Sequence, residues 1–216
     1  MHFFRNGCLV ISGSRSLTKC LPNSELLRCC RAIEITGSSI TDIPAELSAA
    51  HALESLSITE SKLSRISDGL VEFVHIQELN LSGNRLASVE ISPAKLPALI
   101  SLDLSNNRLT SIPSTVPHFS KLKYLNVSEN SLTTLPADLF SLPELKELVA
   151  FDNRLESLPD AAAMCRTLKT LDLTGNPLQD LPRKNEAAFS SVERLYIDRE
   201  RLLDECLEWL VNHDFN

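Results

Sequence analysis

A 23-residue self-similarity constrains this chain more than any other feature. Read from Cys30, the string L-x-x-L-x-L-x-x-N-x-L returns with conservative changes, and its first position falls at Cys30, Leu53, Ile76, Leu99, Leu122, Leu145 and Leu168. Each start lies 23 residues after the last, and an eighth, Val192, comes after 24. The fourth position reads Ile33, Leu56, Leu79, Leu102, Leu125, Leu148, Leu171 and Leu195. The sixth reads Ile35, Ile58, Leu81, Leu104, Val127, Ala150, Leu173 and Ile197, and the eleventh is Ile or Leu from Ile40 to Leu202. Columns that stay aliphatic through eight units belong to a stacked array, in which every unit buries the same positions.

Positions four and six share parity, so an extended backbone points both to one face and sends positions three, five and seven to the other. One short strand per unit, laid parallel to the next, buries the aliphatic side; a single unit cannot do so alone. The ninth position reads Ser38, Ser61, Asn84, Asn107, Asn130, Asn153 and Asn176. An amide there both donates and accepts, which predicts a ladder between units where each strand ends. Its two leading serines predict less regular N-terminal units. The return segments carry Ile43-Pro44, Ile112-Pro113, Leu135-Pro136, Leu158-Pro159 and Leu181-Pro182, then apolar residues such as Leu47, Leu70 and Leu139. Their spacing predicts short helices or 3₁₀ turns on the back of the sheet.

The ends depart from the period. Residues 1–29, with Leu9, Ile11, Leu17 and Leu21-Pro22, read as a degenerate capping repeat, residues 30–191 as seven regular units, and residues 192–216 as a last strand with a capping helix, all in one continuous domain. In that helix Asp198 is expected as the N-cap, with Leu202, Leu203, Cys206, Leu207 and Leu210 on the buried side. Trp209 is expected to pack there rather than to hold a ligand.

These motifs resemble the leucine-rich repeat family over roughly residues 30–202, and the 23-residue unit with its Leu-Pro pair is similar to the intracellular class, which includes Ras-group and Scribble-like repeat proteins. The resemblance implies an α/β solenoid: a horseshoe with a parallel concave sheet and short helices or 3₁₀ turns on its convex side. It also implies a binding module whose partner is another protein held on the concave face.

On that face the columns are mostly small and polar, and the exceptions are informative. Val149 and Tyr196 interrupt position five, Phe151 interrupts position seven, and Tyr124 stands beside Glu147 at position three. With Asp172 these residues form the candidate protein-binding site: Tyr124, Glu147, Val149, Phe151, Asp172 and Tyr196. Aromatic anchors inside an acidic rim predict a partner with a basic segment and an apolar anchor. A mutual apolar cover of Val149 and Phe151 is the plainer alternative.

The remaining composition narrows the classes. A net charge of −7 at pH 7 and the lack of any basic run argue against nucleic acid and anionic membrane as partners. No apolar stretch of about 18 residues is present, so no membrane span is expected. The six cysteines lack the clustering of secreted disulfide frameworks, and Cys29 and Cys30 read as buried small hydrophobes. A reducing, cytoplasmic setting is expected, with mitochondrial or ciliary placement as the alternative. Met1–Lys19 has a weak transit-peptide character, with three basic residues and no acidic one, and is read here as part of the cap. No phosphate loop, metal-ligand spacing or nucleophile–base pair appears, so neither enzyme activity, cofactor nor metal is expected. The chain is expected to be a monomeric adaptor in intracellular signalling. The alternatives are a structural subunit of a large ciliary, ribosomal or mitochondrial assembly, or a regulatory subunit of an enzyme.

Overall fold

A computed structural model describes residues 2–13, 21–66, 73–182 and 188–212. Leu17, Leu70 and part of the segment with transit-peptide character lie outside these residues. Each aliphatic pair at positions four and six sits on or beside a short strand, and the strands form one ten-stranded sheet in sequence order. They are β1 (His2–Arg5), β2 (Cys8–Ser12), β3 (Ala32–Thr36), β4 (Ser55–Thr59), β5 (Glu78–Asn80), β6 (Ser101–Asp103), β7 (Tyr124–Asn126), β8 (Glu147–Val149), β9 (Thr170–Asp172) and β10 (Arg194–Tyr196). Strands β2 to β10 run parallel, with like positions aligned, so Leu56 faces Leu79 and Leu79 faces Leu102. This is the parallel-sheet solenoid the repeat predicts.

The period extends further back than the motif does. Leu9 pairs with Ile33 and Ile11 with Ile35, and all four are buried. Strand β1 then folds antiparallel onto β2 through Asn6 and Gly7, at φ 52° and 78°. Both residues of this two-residue turn take the left-handed conformation, which suits a tight hairpin and explains the Asn-Gly pair.

On the convex side, 3₁₀ turns occupy Ala45–Ala49, Val116–His118 and Ala137–Ser141. Two short helices also appear along the chain, α1 (Ser24–Arg28) before the first regular unit and α2 (Asp160–Met164) in a later return. Proline precedes Ala45, Ala137 and α2 with extended backbone, a conformation that ends the ladder segment and launches the turn. The apolar residues of these returns, among them Leu47, Phe119, Leu139 and Leu142, close the core from behind.

The asparagine column joins the units. In Asn130, Nδ2 donates to the carbonyls of Leu104, Val127 and Ser128 at 3.0 Å each, while Oδ1 accepts from the Leu109 amide at 2.9 Å. Asn84, Asn107, Asn153 and Asn176 repeat the arrangement. The serines form a thinner version: Ser61 Oγ donates to the Thr59 carbonyl and accepts from the Ser38 amide at 3.0 Å. A hydroxyl has one proton to give where an amide nitrogen has two, so fewer carbonyls are satisfied.

The caps differ in detail from expectation. Helix α1 is capped by Asn23, whose Oδ1 accepts from the Leu26 amide. Cys30 is buried, but Cys29 is exposed because it terminates this helix. At the other end Asp198 is not the N-cap of an α-helix. It precedes a 3₁₀ turn, Arg199–Arg201, and its carboxylate accepts from the Gly175 amide at 2.8 Å instead. Helix α3 begins only at Asp204 and runs to Asn212, burying Cys206 and Leu210. Leu203 lies before it and is 53% exposed, off the buried stripe. Trp209 packs edge-on against Phe189, with ring centroids 6.1 Å apart. Phe189 is fully buried at φ 55°, an uncommon conformation for so large a residue, in the return that holds the extra residue of the period.

Loss of an amide should therefore exceed loss of a hydroxyl. Asn130→Ala is expected to destabilise the chain by about 3 kcal/mol and Ser61→Ala by about 1 kcal/mol, read as midpoint shifts in urea titrations. Leu125→Ala, which leaves a void in the fourth column, should cost about 2–5 kcal/mol.

Candidate functional site

Parity places Tyr124, Glu147, Val149, Phe151, Asp172 and Tyr196 on the face opposite the buried columns, and the sheet register sets their distances. Tyr124 faces Ser101 on one side and Glu147 on the other. Val149 lies between Asn126 and Asp172, and Asp172 lies between Val149 and Tyr196. Two rows result: Tyr124–Glu147 at position three, and Val149–Asp172–Tyr196 at position five. Phe151 stands in a third row, two residues beyond Val149. Along the strand direction it is about 13 Å from Tyr124, the length of four residues at about 3.3 Å each.

The six residues thus form a band across the face rather than a single aromatic centre. Among the described residues, the close ring pair is Phe189–Trp209 at the cap, not a pair within the band. Tyr124, Val149 and Phe151 are half-buried and Tyr196 is 47% exposed.

Local structure holds the acidic members differently. Asp172 closes a small turn: its Oδ1 accepts from the Thr174 amide at 3.1 Å and from the Thr174 hydroxyl at 2.8 Å. Asn126 does the same for Ser128, and Asp103 for the Ser105 amide. Position five therefore serves the strand end at each of these units. Val149 and Tyr196 have no side-chain acceptor for that bond, which sets them apart from the rest of the column.

Burial, foremost, pushes the Tyr124 hydroxyl above the ordinary phenol range; the Asp103 charge adds to it, a hydrogen bond with Asn126 opposes it, and Glu147 adds a smaller push. Burial likewise raises the thiols of Cys8 and Cys30, which keeps them protonated and unreactive.

One member of the band was not foreseen. Thr170 lies between Glu147 and Arg194 in the position-three row, is 8% exposed, and its hydroxyl has no hydrogen-bond partner among the described residues. A threonine in a face-exposed column reads as solvated from sequence, and only the packed neighbours reveal otherwise. No cluster of His, Cys, Asp or Glu that would hold a metal occurs among the described residues. Nor is any described helix long and apolar enough to cross a membrane.

Comparison with known proteins agrees with the fold. Leucine rich repeat models match residues 97–155 and 165–181, and a model of two leucine rich repeats matches residues 74–118. The chain is a leucine-rich-repeat protein. No curated protein matches it significantly in sequence. Among solved structures, a leucine-rich-repeat protein of Leptospira interrogans superposes with a TM-score of 0.79 at 26% identity, over 88% of this chain and 48% of that one. An internalin of Listeria monocytogenes gives 0.69 at 20% identity, over 84% of this chain and 51% of its own. The plant peptide hormone receptor RGFR1, solved in complex with RGF2, gives 0.65 at 22% identity, over 82% and 30%. This chain spans about half the length, or less, of these structures. Family and fold together support a protein-interaction module.

The Tyr124 environment has a pH signature. An acid whose folded-state pKa is raised contributes stability below its unfolded value, here near 10.0, and loses it as pH rises through the folded value. Stability should therefore fall on the alkaline side of pH 10, and Tyr124→Phe should flatten that limb in urea titrations taken from about pH 9 to 11.

Proposed function

We propose that the chain is a cytoplasmic adaptor that binds another protein across the C-terminal half of its concave face. The observation that carries this reading is the pair Val149 and Phe151, two apolar residues at the end of β8 and just beyond it, on a face whose columns are mostly small and polar. Both are half-buried among their neighbours on the sheet and keep part of their surface open. Tyr124 and Tyr196 flank them, and the carboxylates of Glu147 and Asp172 lie in the same rows.

Physical chemistry favours a partner with an apolar anchor and a basic stretch. An apolar side chain seated on Val149 and Phe151 removes area from water at about 25 cal/mol per Å². Cations beside Glu147 and Asp172 steer the approach and set the register, and they respond to salt. The free cysteines among the described residues, Cys8, Cys29, Cys30, Cys165 and Cys206, fit a reducing compartment. The peptide-hormone-receptor complex is a precedent for ligand binding by this fold, at an identity that carries no more than the fold. In this reading the chain acts as a monomer outside its complex, without cofactor or catalysis.

Affinity capture from native lysate tests the proposal. Tyr124→Ala and Phe151→Ala, each shown by circular dichroism to remain folded, should weaken a bound partner at least about tenfold, equivalent to about 1.4 kcal/mol, with binding that also falls as salt rises. A set of partners retained unchanged by both variants would move the contact off this face and favour the constitutive-subunit reading.

A further inference from the structure

A second surface is assembled by the same period, on the flank where the chain leaves each strand. Position ten, the residue after the ladder asparagine or serine, reads Ser39, Lys62, Arg85, Arg108, Ser131, Arg154 and Pro177. Its members are 23 residues apart, so no run of basic residues announces them. The fold turns three of them, Lys62, Arg85 and Arg108, into a contiguous row on adjacent units.

Three observations describe this row. First, its backbone is held. The Arg85 amide donates to the Leu63 carbonyl at 2.7 Å and the Arg108 amide to the Leu86 carbonyl at 2.9 Å. The residue after each of the three cations donates its own amide to a ladder asparagine: Leu63 to Asn84, Leu86 to Asn107 and Leu109 to Asn130. Second, the cations are exposed and uncompensated. Arg31, Arg65, Lys123 and Lys169 each meet a carboxylate, whereas Lys62, Arg85 and Arg108 meet none within ion-pair distance among the described residues. Third, the neighbouring position-eight row has no acidic residue of its own in the units of the two arginines, at Gly83 and Asn106, but carries Glu60 in the unit of Lys62 and Glu129 and Asp152 further along. The Glu60 carboxylate leans over Gly83, where a Cβ would overlap it, and forms no ion pair with Lys62 or Arg85 among the described residues. Arg154 is separated from Arg108 in the row by Ser131 and is not contiguous with the three.

We propose that this flank binds an acidic helical segment of a partner protein, with one carboxylate per turn set against Lys62, Arg85 and Arg108. The spacing selects a helix. Adjacent units are about 4.8 Å apart in the sheet, and one helical turn advances about 5.4 Å. Over three positions the two drift apart by only about 1.2 Å, which flexible Lys and Arg arms absorb. An extended peptide repeats a side chain on one face every 6.6–6.8 Å, roughly, and would drift by about 4 Å over the same three positions. The planar guanidinium groups of Arg85 and Arg108 suit bidentate contact with carboxylates. A nucleic-acid strand is disfavoured, because the chain as a whole carries −7 and would repel a long polyanion.

The test uses the full chain and three probes at low salt: an alanine-based helical peptide with three Glu on one face, at alternating four- and three-residue spacing; a peptide of the same composition with the Glu distributed around the helix; and a short single-stranded oligonucleotide. The one-faced peptide should bind at least about fivefold more tightly than the distributed one, and binding should weaken with salt. Arg85→Ala with Arg108→Ala should lose about tenfold, while the exposed Lys146→Ala and the concave Tyr124→Ala should leave binding unchanged. Three results would each overturn the assignment: equal binding of the two peptides, a double variant that binds like the native chain, or an oligonucleotide that binds more tightly than either peptide and depends on the same arginines. Because Tyr124→Ala serves here as a control, the failure of this proposal and that of the concave-face reading remain separable.

Discussion

The four-bond asparagine at the end of each strand is the interaction on which the rest of this structure depends. A parallel strand that turns sharply after three residues leaves carbonyls behind it and amides ahead of it, buried and away from water. Each orphaned group would cost about 1–3 kcal/mol. One carboxamide resolves the turn for its own unit and reaches back to the carbonyl of the unit before, as Asn130 does to Leu104. Its side chain therefore sets both the bend and the pitch. The aliphatic columns supply the larger share of favourable energy, but any apolar side chain of suitable volume does so. The ladder decides that the units stack in one register.

The two ends of the solenoid are built differently because the ladder changes there. Where serine replaces asparagine, at Ser38 and Ser61, one hydroxyl serves fewer carbonyls, and the strands there extend to five residues, making the sheet's own hydrogen bonds do more of the joining. A hairpin then covers β2 with β1 at the N-terminal end. At the C-terminal end β10 lacks an asparagine altogether; the Asp198 carboxylate takes the Gly175 amide, and α3 brings Cys206 and Leu210 onto the last unit. Phe189, buried at a positive φ against Trp209, marks where the regular return gives way to the cap.

Because the backbone is so regular, chemistry is distributed by column. Positions four and six are core. Positions three, five and seven carry the candidate band on the concave sheet, and position ten carries cations on the flank. Surfaces of opposite character therefore lie on different sides of one molecule, acidic and partly apolar at the C-terminal half of the face, basic along the flank of the second to fourth units. A column can diverge without disturbing the stack, as Val149 and Phe151 do, since the face they point to contributes nothing to the ladder beyond the small Asp and Asn turns.

Much of this was legible from the residues alone. The period, the parity of Leu125 and Val127, the role of Asn130 and the proline-led returns are all local or strictly repeating, and backbone geometry converts such patterns into strands, turns and a stack without further information. The remainder was set by contacts that the period does not encode. That Cys29 is exposed while Cys30 is buried depends on where α1 ends. That Asp198 bonds to Gly175 rather than capping a helix depends on the β9–β10 pairing. The separation of Tyr124 from Phe151, the burial of the Thr170 hydroxyl and the alignment of Lys62, Arg85 and Arg108 arise only when strands are laid side by side, because equivalent residues of successive units, far apart along the chain, become neighbours about 4.8 Å apart in space.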